Sequence, residues 1–187
     1  MKGWFFMAKC YMFLTDRFET VEALAVVDIL RRAGVLVVTV SVTGNKNVVS
    51  AQNIMVCADE ILNNAAYDDA DVVFLPGGPG TGELEKVSQV CDITKRQYES
   101  GKIVAAICAA PSILGHMGML IGRDATCFPG YEDELKGARC TGERVVVSEN
   151  VVTGRGMGTA IDMGLKLVEL LCGKEVSEKL SKSTQYT

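Results

Sequence analysis

Histidine is nearly missing from this chain, and His116 is the only one. A Cys/His dyad, the usual device for activating a thiol, therefore has a single candidate base, and a mixed Cys/His metal site is short of ligands. The seven cysteines (Cys10, Cys57, Cys91, Cys108, Cys127, Cys140 and Cys172) contain no CxxC pair and no zinc-ligand spacing, and their number is odd. That argues against a metal centre and against a disulfide framework, and makes a reducing cytosol the simplest setting. No run of five basic residues exists, and the formal net charge is -4. A phosphate-tracking surface is thereby disfavoured, and nucleic acid with it as the main partner. No apolar stretch approaches the length of a membrane span. The opening residues 1–8 join a charge to apolar side chains, but Lys9 interrupts them before they reach the length of a signal-peptide core, so they read as an extension ahead of the first strand. Internal repeats and low-complexity segments are also missing.

What is present suits an ordinary soluble domain. In 187 residues, 48% are hydrophobic and 22% charged, enough to enclose a core without disulfides or metal. One domain over 1–187 is expected, with its core at about 9–174 and terminal extensions at 1–8 and 175–187. Residues 10–14 read as a strand, 20–33 as a helix with Val21, Leu24, Val27 and Leu30 at helical spacing, and 35–42 as a second strand. This βαβ unit implies parallel strands and a right-handed crossover. Two brief β-like pieces follow within 47–57, with one helical turn expected at 59–64. A third parallel strand at 71–75 is closed by a loop over 76–82, and a helix from about 83 to 100 leads to a strand at 103–107. Short strands at 144–148 and 151–153 precede a last core helix carrying Ile161, Leu165, Val168 and Leu171, and a short helix with a polar tail starts near 174. Strands alternating with helices imply a three-layer α/β sandwich, with ligands at the carboxyl ends of the strands.

One stretch carries the functional signal. From Ile103 the apolar run stops abruptly at Cys108, then resumes through Ala109, Ala110 and Pro111 into Ile113 and Leu114. A strand, a sharp turn and a helix in that order form a nucleophile elbow, whose small neighbours let the backbone turn tightly under one raised side chain. There the Cys108 sulfur lies near unpaired N–H groups of the following helix, which favour a thiolate. The alternative is inert burial, since cysteine is among the most buried residue types. His116 lies eight residues further along the same helix, about 12 Å up the axis at roughly 1.5 Å per residue. It cannot serve Cys108 within one subunit, which disfavours a peptidase or amidotransferase needing imidazole. The remaining proton partners are the carboxylates after the first strand: Asp16, Glu19 and Glu22. Glu22 is the odd one, set between Val21 and Ala23 on an otherwise apolar helix face. Either it points inward across the strand ends, where low polarity raises its pKa, or it merely answers the helix dipole. The glycines of the 76–82 loop offer backbone N–H groups to an anion or developing oxyanion, or else form a plain tight turn.

Taken together, Glu22 with Asp28 and 31–34, the segment 71–78, Ala105 to Pro111, and Thr153 to Thr159 resemble the ThiJ/PfpI superfamily, in the branch of the Parkinsonism-associated deglycase. The resemblance covers about residues 9–174. It implies a flavodoxin-like, mostly parallel sheet related to the class I glutamine amidotransferases, and usually a homodimer. It also implies an easily oxidised thiolate at Cys108, a protonated Glu22 bonded to that sulfur, and backbone donors at Gly77, Gly78 and Ala109. Phe128, Pro129 and Arg155 would line the pocket. The implied activity needs no cofactor and no metal: conversion of methylglyoxal and glyoxal to hydroxy acids, or repair of glycated adducts, in the cytoplasm. Redox-sensing, chaperone and thiazole-biosynthesis labels are also attached to members. Three positions depart from parts of the family. Phe128 stands before Pro129 where well-known members carry His, Gln52 where some carry Arg, and Ala109 where the proteases have His after the nucleophile.

Overall fold

The computed structural model describes residues 7–186. In chain order its elements are β1 (Lys9–Leu14), α1 (Thr20–Arg32), β2 (Leu36–Ser41), β3 (Asn47–Val49), β4 (Met55–Cys57), β5 (Glu60–Ile61), β6 (Val72–Leu75), α2 (Thr81–Glu85), α3 (Ser88–Glu99), β7 (Ile103–Ile107), α4 (Pro111–His116), β8 (Asp124–Ala125), β9 (Arg139–Cys140), β10 (Val145–Ser148), β11 (Val151–Gly154), α5 (Ala160–Cys172) and α6 (Lys174–Ser183). The main sheet runs β10-β11-β7-β6-β1-β2-β5. Every pairing in it is parallel except β10 with β11. Alternation along the central strands sends side chains to opposite faces. Met12, Leu14, Phe74 and Ile107 pack under Ile29 and Leu30 of α1 and Met163 and Leu167 of α5. Tyr11, Phe13, Val73 and Leu75 pack on the other face against Ile93 of α3 and Ile113 and Leu114 of α4. This is the expected sandwich, with a sheet buried on both sides.

Register places the site. Leu75 stands opposite Ala106, and Gly154 opposite Ile107, so β6, β7 and β11 end level. The residues just beyond them, Gly77, Cys108 and Gly156, are thereby brought to one edge of the sheet. β1 ends on the same side and feeds the loop into α1, which returns Glu22 to that edge.

Three expectations change. Residues 59–64 form no helical turn. Asp59 Oδ2 accepts hydrogen bonds from Thr39 N–H (2.9 Å), Thr39 Oγ1 (2.8 Å) and Arg31 (2.7 Å), which holds the segment extended so that Glu60 and Ile61 add β5 to the sheet edge. The helix expected over 83–100 is two helices, broken where Val87 is extended (φ -80°, ψ 91°), and the break lets both Leu84 and Val90 be buried. The loop expected over 76–82 is shorter, because α2 already starts at Thr81. The short helix expected from about 174 is α6, and this part of the terminal extension is anchored on α5 by Ser177 Oγ donating to Leu165 O (2.8 Å) and by buried Leu180. The two β-like pieces within 47–57 are a separate antiparallel hairpin, β3 with β4. Of residues 1–8, read as an extension, 1–6 lie outside the described residues. Among the described residues no helix is long and apolar enough to cross a membrane, and no cluster of three or more His, Cys, Asp or Glu side chains could hold a metal ion.

Candidate active site

Cys108 sits directly after β7 with φ 66°, a left-handed conformation that a residue with a side chain adopts only when its surroundings impose it. The strain is of the order of 1–3 kcal/mol. Its N–H donates to Gly154 O (2.9 Å), and its carbonyl accepts from Phe128 N–H (2.8 Å). Ala109 and Ala110 leave room for the turn, and Pro111 opens α4 where its missing N–H costs nothing. The expected elbow is therefore present.

Glu22 faces it. α1 starts with Glu19 as its cap, whose carboxylate accepts Glu22 N–H at 2.8 Å. The chain is then clasped to the loop after β6 from both directions: Glu19 N–H donates to Gly77 O (2.9 Å), and Gly77 N–H donates to Glu22 Oε2 (3.0 Å). Glu22 is fully buried. Its other oxygen, Oε1, is buried without a hydrogen-bond partner, on the side of the carboxyl that shares the Gly156 wall with Cys108 Sγ, and the two groups are close enough for each to shift the other's titration. Gly77 permits this approach. A Cβ there would stand 2.7 Å from both Cys108 Cβ and Glu22 Oε2. Gly156 forms the facing wall, where a Cβ would lie 3.4 Å from the Phe128 ring and 4.0 Å from both Cys108 Sγ and Glu22 Oε1. Thr159 Oγ1 fixes this turn, accepting Gly156 N–H (3.2 Å) and donating to Gly156 O (2.8 Å).

The electrostatics follow from burial. Glu22 is raised from 4.5 to about 7, chiefly because its charged form is desolvated, with the Glu19 charge adding to the shift and Gly77 N–H opposing it. Burial also pushes the Cys108 thiol up, as does an ionised Glu22 beside it, while the backbone N–H groups of Ala109 and Gly78 reach the sulfur and pull it down. Both groups are thus pushed toward their neutral forms, against the thiolate expected at Cys108, and the pair holds at most one negative charge near neutrality.

The other expected residues divide. The N–H groups of Gly78 and Ala109 lie near enough to the sulfur to lower the thiol's pKa, whereas the Gly77 N–H is spent on Glu22. Phe128 reaches the site with its ring, half of which is exposed, and Pro129 is exposed beside it. The Arg155 guanidinium donates to Gly142 O (3.1 Å), which commits its charge to the neighbouring turn. Asp16 accepts Val49 N–H, and Gln52 accepts from Thr20 Oγ1, so neither shares the roles of Glu19 and Glu22. His116 lies between Glu85 (2.6 Å) and Glu134 (2.9 Å), which hold its pKa above the usual value and occupy both ring nitrogens. Gly156 and Thr159 lie in the 153–159 segment that carries the family resemblance, but the only local signal of their place at the site is the Gly154-Arg155-Gly156 spacing directly after a strand.

Comparisons with known proteins agree with this architecture. The model of the DJ-1/PfpI family matches residues 8–170. The chain is 35% identical over 167 residues to Protein dj-1beta of Drosophila melanogaster, covering 88% of this chain and 89% of that one. It is 31% identical over 166 residues to the glutathione-independent glyoxalase DJR-1.2 of Caenorhabditis elegans, covering 88% of each. Against Protein DJ-1 homolog B of Arabidopsis thaliana it is 35% identical, but it spans only 40% of that longer relative. Among solved structures, oxidized DJ-1 of Toxoplasma gondii superposes with a TM-score of 0.92 at 31% identity, covering 96% of this chain and 99% of that one. With a family model matching residues 8–170 and Protein dj-1beta matched over 89% of its length, the protein belongs to the DJ-1/PfpI family.

Proposed function

We propose that the protein is a cofactor-independent glyoxalase or deglycase in which Cys108 is the nucleophile and Glu22 moves protons. The observation that carries this reading is the buried Glu22 carboxyl beside Cys108, with Oε1 left without a hydrogen-bond partner and a pKa raised to about 7. A group titrating near the working pH can both give and take a proton. Sγ adds to the aldehyde carbon of methylglyoxal, and the thiol proton passes by way of Glu22 to the aldehyde oxygen, giving a hemithioacetal. Glu22 then takes the C–H proton from that carbon and returns it to the adjacent one while the hydroxyl proton passes to the neighbouring oxygen, so one carbon is oxidised, its neighbour is reduced, and a thioester results. Water attacks the thioester carbonyl, the C–S bond breaks, sulfur regains its proton, and lactate leaves. A relative named as a glutathione-independent glyoxalase supports this reaction class. Glycated adducts would be attacked in the same way. Lactate formation from methylglyoxal should fall by at least about a hundredfold in Cys108→Ala, as for loss of any covalent nucleophile. Equal rates in the two proteins would remove the proposal.

A second reading has its own support. Gly78 and Ala109 N–H groups at the sulfur, with Glu22 as a proton donor, suit a sulfinate formed from Cys108 and two molecules of peroxide with release of two waters. Intact mass after mild peroxide tests it, and failure of Cys108 to gain two oxygens would leave only the enzyme. We also propose a homodimer, supported by the exposed Val21, Ile54 and Met55 on the hairpin and the start of α1, which Thr20 and Gln52 tie together (2.7 Å). A cytoplasmic site of action fits the free cysteines.

A further inference from the structure

We propose that Cys127 and Cys140 are a second redox site, a dithiol that closes to a reversible intrachain disulfide under hydroperoxide. Two stretches distant in sequence are brought together by the small parallel sheet in which Asp124 pairs with Arg139 and Ala125 with Cys140. Thr141 N–H donating to Ala125 O (2.9 Å) and Arg139 N–H donating to Arg123 O (2.8 Å) fix that register. Cys127 lies two residues beyond Ala125, and the two thiols are near enough for each to shift the other's titration, while the Cys140 thiol rests on Glu132 O at 3.8 Å. The paired strands thus hold the two cysteines as neighbours, the first requirement of a disulfide. They also differ in access: Cys127 is buried and Cys140 exposed, so an oxidant meets one sulfur first.

The chemistry balances with a hydroperoxide as the two-electron oxidant. Cys140 takes one oxygen to become a sulfenic acid as the O–O bond breaks and an alcohol or water leaves. Cys127 sulfur then attacks it, the S–O bond breaks, and water leaves with the proton. Burial holds the Cys127 thiol up at about 12, and burial together with the charges of Glu132 and Asp133 raises Cys140. Closure is accordingly slower than reaction of a low-pKa thiolate and answers sustained rather than brief exposure. The bond would close a loop over 128–139. That loop begins with Phe128, whose ring walls the Cys108 site and whose N–H holds the Cys108 carbonyl. It also contains Glu134, which binds His116 at the end of α4.

The test uses the full chain carrying Cys108→Ala, so that neither turnover nor oxidation at Cys108 enters the readout, and the fate of the glyoxalase reading leaves it untouched. After incubation with hydrogen peroxide and quenching by alkylation in denaturant, peptide mapping without reductant should find Cys127 joined to Cys140. Intact mass should drop by two hydrogens, dithiothreitol should restore it, and the additional Cys140→Ser change should abolish the link and leave Cys127 reduced. The proposal fails if Cys140 instead becomes sulfinate or links two chains. It fails equally if both thiols stay free at a dose that has already oxidised Cys57, an exposed cysteine that serves as internal dosimeter.

Discussion

At Glu22 a single proton couples stability to chemistry. Its folded-state pKa, about 7, lies above the unfolded 4.5, so across that window the native chain binds more protons than the unfolded one, and stability falls as pH rises. The whole shift corresponds to about 3 kcal/mol. Glu22→Gln, which keeps the shape and the acceptor for Gly77, should be about as stable as wild type near the lower limit and increasingly more stable toward neutrality. Urea unfolding of both proteins across the window checks this, and a gap that does not widen with pH contradicts it. Turnover should nonetheless be lost, because the amide cannot carry a proton. Phe128 offers a gain instead. Its ring stands at the wall of the Cys108 site and cannot carry a proton, so Phe128→His should raise methylglyoxal turnover by about tenfold, short of the full 10²–10⁴ of a well-placed acid–base group. Steady-state kinetics read this directly. At this scale the sequence was only partly legible. The strand-to-helix break around Cys108 and the acidic residue inside an apolar helix face marked two of the partners. The use of Gly77 was hidden, because a glycine-rich loop says that N–H groups are free to approach something but not which atom each one meets.

Between elements, the contact of α1 with α5 sets where Glu22 lies. A Cβ added at Gly164 of α5 would come within 2.9 Å of Ile29 Cβ and Cγ2 on α1. Gly164→Val must therefore push the helices apart, at a cost of about 1–3 kcal/mol, and should lower turnover more than thermal stability alone explains, because α1 carries the carboxyl away from sulfur. Melting temperature and turnover measured on one preparation separate the two effects. Long, strongly patterned elements such as β1, β7, α1 and α5 declared themselves through periodicity. β5 did not: its two residues are too few to carry a pattern, and they are extended because Asp59 finds Thr39 and Arg31, neighbours only in the folded chain. The break between α2 and α3 was equally hidden, since nothing in the chain between them is a helix breaker and the buried positions of Leu84 and Val90 decide it.

For the whole molecule, the proposed homodimer places exposed apolar side chains beside the start of α1. Met55, 65% exposed on the hairpin, is the most prominent of them. Met55→Glu should shift the sedimentation coefficient from dimer toward monomer without unfolding the chain, and a wild-type protein sedimenting as a monomer at all concentrations would dismiss the assembly. The support of the Cys108 turn has a bearing on how the molecule comes into being. Its N–H is held by Gly154, its carbonyl by Phe128, and its carboxyl partner by Gly77 and Glu19. These segments meet only once most of the sheet exists, so the strained peptide is among the late acquisitions of folding, as expected for contacts of long sequence separation. A chain still emerging or misassembled carries an ordinary cysteine at that position. The reactivity proposed for this sulfur is thereby confined to molecules that have finished folding.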